Sequence, residues 1–254
     1  MTRFRIKTIF ALYIGMDFED ILSLLTQLAL VVVLVLILYE IYNKYIANYS
    51  VNQHKGRGYS RIDSEYIYPV LHPDFVTQEE NDYILKNASP MFRESLLVSG
   101  SLENVRQSKT AWLSRDDPVV ANIIHRVCSL TDLPFENAEK MQVVEYEPNG
   151  YYRPHYDASC DDREECVEFE KNGGQRLVTM LIYLNDQYEG GATHFPKLNA
   201  SYKPVKNTAL LFYSLEKNGG KCHPLSLHAG TPVISGKKYI ANIWLREHAY
   251  DVNK

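Results

Sequence analysis

The chain has 254 residues, of which 45% are hydrophobic and 23% charged, enough apolar material for one folded domain of ordinary size plus an appendage. A formal net charge of -4 leaves no basic excess of the kind that phosphate binding requires. Nucleic acid is therefore not the expected partner.

Residues 21–39 read ILSLLTQLALVVVLVLILY, without a charge and long enough to cross a bilayer as a helix. Asp17, Glu19 and Asp20 precede it and no small-x-small cleavage pattern follows, which favours an uncleaved anchor over a signal peptide. Arg3, Arg5 and Lys7 on one flank are matched by Lys44, Lys55 and Arg57 on the other, so charge does not fix the orientation. The triplets Asn48-Tyr49-Ser50, Asn87-Ala88-Ser89 and Asn199-Ala200-Ser201 permit glycosylation of a lumenal C-terminal part. The expected organisation is a cytosolic segment 1–20, a single-pass anchor 21–40, a polar, Tyr-rich linker 41–65 and a catalytic domain 66–254. The expected location is the lumen side of the endoplasmic reticulum or Golgi membrane.

Thr77-Gln78-Glu79-Glu80 ahead of Tyr83, Ile84 and Leu85 is a capping-box helix start, and Asp117-Pro118 opens a second helix through Val119, Ile123, Ile124 and Val127. Strand-like runs follow at Met141–Tyr146, Leu177–Leu184, Ala209–Tyr213 and Tyr239–Leu245, separated by Gly, Pro and Asn-Asp signals. Strands spaced by turns, without helical interludes, predict a mainly β fold with flanking helices, a double-stranded β-helix or jelly roll behind the N-terminal transmembrane helix. The charged run Asp161 to Lys171 reads as a loop or short helix over one mouth of the barrel.

Chemistry concentrates in Tyr146-Glu147-Pro148-Asn149-Gly150-Tyr151-Tyr152-Arg153-Pro154-His155-Tyr156-Asp157. Strand alternation puts His155 and Asp157 on one face, where one further histidine, His223 or His228, completes a two-histidine, one-carboxylate set. That set leaves coordination positions open, as a non-haem Fe(II) binding a chelating co-substrate and O2 needs.

Tyr66 to His248 resembles the catalytic domain of the prolyl 4-hydroxylases, of the short membrane-anchored plant, algal and algal-virus type. The resemblance rests on the run from Val105 to Leu113 (VRQSKTAWL), Gln142 to Tyr146, Pro154 to Asp157, Gly190 to Pro196 (GGATHFP) and His228 to Trp244. It implies Fe(II) held by His155, Asp157 and His228, the His228-to-Lys238 spacing selecting His228 over His223. It also implies 2-oxoglutarate held by Lys238 with the hydroxyls of Tyr146 and Thr179, and a peptide groove lined by Tyr152 and Trp244, with Arg163 standing for a substrate-loop arginine. His155, Asp157, His228 and Lys238 are the implied catalytic set. The implied reaction consumes O2 and 2-oxoglutarate, with ascorbate as reductant, and hydroxylates proline in a proline-rich or collagen-like peptide, releasing succinate and CO2. Other readings of the same residues are a 2-oxoglutarate oxygenase acting on another residue or a small molecule, and a non-catalytic, membrane-tethered jelly-roll binding module.

One departure stands out: two residues after Trp244, where the family often has histidine, this chain has Arg246, a residue that could tune which flanking substrate residues are accepted. The cysteines at 128, 160, 166 and 222 lack zinc-like spacing, and neither their pairing nor the oligomeric state follows from the sequence.

Overall fold

The computed structural model describes residues 17–52, 66–95, 105–159, 167, 169–216 and 221–253. The chain divides into two compact units, Met1–Arg61 and Ile62–Lys254.

In the first unit, helix α1 spans Phe18–Asn52. Asp17 caps it, its Oδ1 accepting from the backbone N–H groups of Glu19 and Asp20 at 2.9 and 3.0 Å. Among the described residues no helix is long and apolar enough to cross a membrane. The N-terminal transmembrane helix expected at 21–40 is thus not shown. Between Leu22 and Ile37 each large aliphatic side chain is at least 50% exposed, and none faces a core.

The second unit carries strands β1 (Val70–His72), β2 (Arg93–Glu94), β3 (Arg106–Gln107), β4 (Lys109–Leu113), β5 (Met141–Tyr146), β6 (Tyr151–His155), β7 (Arg176–Tyr183), β8 (Tyr188–Gly190), β9 (Thr193–Phe195), β10 (Ala200–Tyr202), β11 (Ala209–Tyr213), β12 (His228–Gly230), β13 (Val233–Gly236) and β14 (Lys238–Arg246). Helix α2 (Gln78–Ala88) follows β1, and α3 (Pro118–Thr131) follows β4. A seven-stranded sheet runs β1-β11-β7-β14-β5-β4-β2, a five-stranded sheet β10-β9-β12-β6-β3, and β13 pairs with β8. All pairings are antiparallel, as a jelly roll requires.

The predicted strands at Met141–Tyr146 and Ala209–Tyr213 coincide with β5 and β11, and the other two are displaced by one residue at their ends. The capping box at Thr77 forms with both of its reciprocal bonds, and Asp117 accepts from the N–H groups of Val119 and Val120. Such caps contribute roughly 1 kcal/mol each.

Alternation then sorts the large sheet into two faces. Met141, Val143, Val178, Met180, Ile182, Ala241, Ile243 and Leu245 face outward and are covered by Ile84 and Ala88 of α2 and Val120, Ile123, Ile124 and Val127 of α3. Val144, Tyr146, Leu181, Tyr183, Leu210, Phe212 and Ile240 face the small sheet and meet Phe195 and Ala200 from it. The helices seal one face so that the other can hold the site. At the β8 end, Gly190 and Gly191 take φ of 68° and 64°, and a Cβ on Gly190 would crowd the Pro232 carbonyl oxygen, so the turn there requires glycine.

Candidate active site

The small sheet supplies two histidines by register. β6 and β12 pair so that His155 and His228 are direct cross-strand partners, with ring centroids 4.4 Å apart. Strand β6 stops at His155, and Asp157 lies in the bend beyond it. The shared strand face expected for His155 and Asp157 is thus replaced by a strand end and a turn. Both ligand types still converge. Asp157 Oδ1 is 3.7 Å from His155 Nε2, its Oδ2 is 3.7 Å from His228 Nε2, and one ligand atom from each of the three lies within 4.8 Å of the others.

The outer nitrogens are fixed from behind. His155 Nδ1 lies 2.8 Å from the Arg153 carbonyl and His228 Nδ1 2.9 Å from the Ser226 carbonyl, which puts the proton on Nδ1 and leaves each Nε2 lone pair facing inward. Burial pushes His155 down to about 3, reinforced by His228, so the imidazole is neutral near pH 7. Burial works to raise the Asp157 carboxyl, but His228, His155, Arg176 and the Thr179 hydroxyl outweigh it and hold the group at about 2. Neutral imidazoles and an ionised carboxylate are the states a divalent metal needs. His223 is elsewhere: its ring stacks on Tyr66 at 4.4 Å and its Nδ1 accepts from Leu225 N–H.

The large sheet supplies the rest. Lys238 pairs in register with Tyr146 and is 2% exposed, its Nζ 5.3 Å and 5.8 Å from the ring centroids of Tyr146 and Tyr183. No carboxylate accompanies it among the described residues, and burial alone pushes it down to about 7. The Thr179 hydroxyl donates to Asp157 Oδ2 at 2.6 Å, tying the large sheet to the carboxylate. Tyr152 lies flat on His155, centroids 3.5 Å apart, and Trp244 is 4% exposed with no partner for its Nε1 among the described residues. His155, Asp157, His228, Lys238, Tyr146, Tyr152 and Trp244 all line one cavity of about 440 Å³. Arg163 lies outside the described residues.

Sequence reasoning missed the charged frame of this cavity. Arg176 lies with its Cζ 3.7 Å from the Trp244 ring centroid, reaches the Asp157 carbonyl at 3.5 Å, and pairs with Glu139 through two bonds of 2.5 and 2.7 Å. Arg246 binds the same Glu139 at 2.7 Å and donates to the carbonyls of Phe169 and Gly174. Arg246 is 3% exposed, held by these internal partners rather than open to solvent. The sequence signal for Arg176 was its place at the end of β7, whereas Arg246 already stood out as the departure from the family's histidine. Arg106, stacked on Tyr152 at 4.8 Å, and Trp112 also line the cavity and stand in the run from Val105 to Leu113.

Residues 141–246 match the family model of the 2OG-Fe(II) oxygenase superfamily. A protein of Acanthamoeba polyphaga mimivirus assigned as a prolyl 4-hydroxylase is 42% identical over 200 residues, covering 79% of this chain and 83% of that one. Prolyl 4-hydroxylase 1 of Arabidopsis thaliana is 36% identical over 201 residues, 71% of this chain and 69% of that one. The 2OG complex of the viral collagen prolyl hydroxylase from Paramecium Bursaria Chlorella virus-1 superposes with a TM-score of 0.58 at 30% identity, over 74% of this chain and 99% of that one.

The chain belongs to the prolyl 4-hydroxylase family.

The Fe(II) and 2-oxoglutarate of this family fit the residues present. Two imidazoles and a carboxylate make the facial donor set of a non-haem Fe(II) oxygenase. The buried, carboxylate-free Lys238 in the same cavity is a cation awaiting an anion, which the far carboxylate of 2-oxoglutarate supplies. Among the described cysteines, Cys128 is free and Cys222 is disulfide-bonded.

Proposed function

We propose that this prolyl 4-hydroxylase acts on proline-rich or collagen-like peptides held in extended form across the 440 Å³ cavity, releasing succinate and CO2 and using ascorbate to keep its iron reduced. The observation that carries the reading is one cavity holding a facial ligand set, an uncompensated buried lysine and an aromatic wall. His155, Asp157 and His228 would hold the iron, and Lys238 with the Tyr146 hydroxyl would hold the far carboxylate of 2-oxoglutarate. Bound iron, 2-oxoglutarate and O2 together supply an oxidant strong enough for a C–H bond.

The protein's own contribution is placement. Thr179 keeps one Asp157 oxygen oriented, and Tyr152 holds the His155 ring flat. The Trp244 ring, which lines the cavity, offers an aromatic wall to the peptide, so that the target carbon stays beside the metal. An extended polyproline II segment suits such a site because it is already ordered before it docks.

Proline-rich repeats are expected to gain one oxygen at proline by mass spectrometry, with length-matched, proline-free peptides unmodified. Trp244→Ala removes that aromatic wall. Losing a ring contact worth about 1 kcal/mol raises peptide KM roughly fivefold and leaves the KM for 2-oxoglutarate unchanged. Hydroxylated proline-free peptides, or an unmoved peptide KM, would refute the groove assignment.

The same proposal takes residues 1–20 as cytosolic, 21–40 as a single-pass anchor, 41–65 as a tether and 66–254 as a lumenal oxygenase of the endoplasmic reticulum or Golgi. It is supported by the aliphatic side chains between Leu22 and Ile37, exposed on every side of α1, since a helix apolar all round needs lipid or a core. The disulfide at Cys222 suits an oxidising compartment. In sealed microsomes the oxygenase domain should resist added protease until detergent is present; digestion without detergent refutes the topology.

A further inference from the structure

Beside the active-site cavity lies a second, smaller hollow of about 150 Å³, between α2, the turn after it and β4. Tyr83, Met91 and Trp112 line it, together with the polar Asn87, Ser114 and Asp117. Trp112 is shared: the same side chain also lines the active-site cavity, and its ring lies 6.2 Å from that of Trp244. Trp112 is 41% exposed and Met91 43%, large apolar side chains left open to solvent next to a substrate site.

The chemistry of the notch selects its occupant. Tyr83 gives its hydroxyl to Asp117 Oδ2 at 2.6 Å, which holds the ring in place as a rigid face. The other Asp117 oxygen accepts from the first N–H groups of α3, so the nearby carboxylate is already committed. No lysine or arginine lines the hollow. Two aromatic faces and a thioether around a space sized for one side chain match a pyrrolidine ring, as in grooves that read polyproline II segments.

We propose that this notch is a second proline-binding subsite, which engages a proline of the same substrate peptide away from the one being hydroxylated. The occupant follows from continuity, because Trp112 lines both the cavity and the notch, so a peptide leaving the cavity over that ring meets the notch next. A polyproline II chain repeats every three residues, about 9 Å per turn, so a second proline at an offset of three or a multiple of three presents to the same wall. Such a subsite would make the enzyme a reader of proline spacing. The inference rests on the prolyl hydroxylase reading of the main cavity.

The test uses the full chain with Fe(II) and 2-oxoglutarate and a set of peptides of equal length. Each has one target proline and either no other proline or a second one at offsets from two to six on either side. The expected result is a roughly tenfold lower KM at one offset divisible by three, from burial of one ring, with neighbouring offsets no better than the single-proline peptide. Met91→Asp should abolish that gain and leave the single-proline kinetics unchanged, and Met91→Leu should restore it. Equal KM at all offsets, or a gain that survives Met91→Asp, overturns the notch while prolyl hydroxylation stands. Failure to hydroxylate any prolyl peptide overturns both.

Discussion

Asp157→Ala is expected to abolish 2-oxoglutarate turnover, with a loss on the order of a thousandfold or more in kcat/KM. The scale follows from comparison with residues one step removed. Deleting a hydrogen bond that merely orients a metal ligand costs about 10- to 100-fold in metal affinity or activity. Thr179, whose hydroxyl donates to Asp157 Oδ2, is such a residue, and Thr179→Val should fall within that range. Removing the carboxylate itself deletes a ligand and the negative charge that His155 and His228 face across 3.7 Å. A loss of about 4 kcal/mol corresponds to the thousandfold figure. Anaerobic Fe(II) titration and uncoupled turnover of 2-oxoglutarate measure the two effects separately, with His228→Ala as a parallel case. Turnover retained in both Asp157→Ala and His228→Ala would remove the metal assignment.

Lys238→Ala should leave Fe(II) binding intact while weakening 2-oxoglutarate. Truncating one partner of a buried charge pair costs roughly 2–5 kcal/mol, or about 30- to 4,000-fold in affinity. Acidity gives a second signature. Burial holds the free Lys238 ammonium at about 7, so above that pH the empty site carries a neutral amine. Binding a carboxylate favours the charged form and takes up a proton, so 2-oxoglutarate affinity is flat below pH 7 and falls about tenfold per unit above it.

The groups facing Lys238 do not compete in that window. Burial raises the hydroxyls of Tyr146 and Tyr183, which stay protonated, and Asp157, held at about 2, stays ionised. Lys238→Met should flatten the pH dependence together with the loss of affinity. Anaerobic binding measurements from pH 6 to 9 decide it, and an unchanged slope in Lys238→Met would move the anion site elsewhere.

Local order in this protein was written in the chain. The period-2 runs give β5 and β11 their observed ends, and the same alternation puts Lys238 and Trp244 on one face of β14, both lining the cavity. Thr77 and Asp117 start α2 and α3 because a side-chain oxygen satisfies N–H groups two or three residues on, a contact that needs no tertiary partner.

What the fold alone decided are partnerships between distant segments. His228 faces His155 because β12 and β6 pair in that register, and β6 ends before Asp157, which then turns to both histidines. Thr179 of the large sheet meets that carboxylate because the two sheets close over it. Arg176 was invisible to alternation. A bulge between β7 and β14 pairs Leu245 with Val178 and then Arg246 with Arg176, skipping Leu177, so the arginine changes face and reaches Glu139 and Trp244. A period read along one strand tells which way a side chain points. It carries no information on where the partner strand slips by a residue, because that slip is set by the packing of the whole sheet.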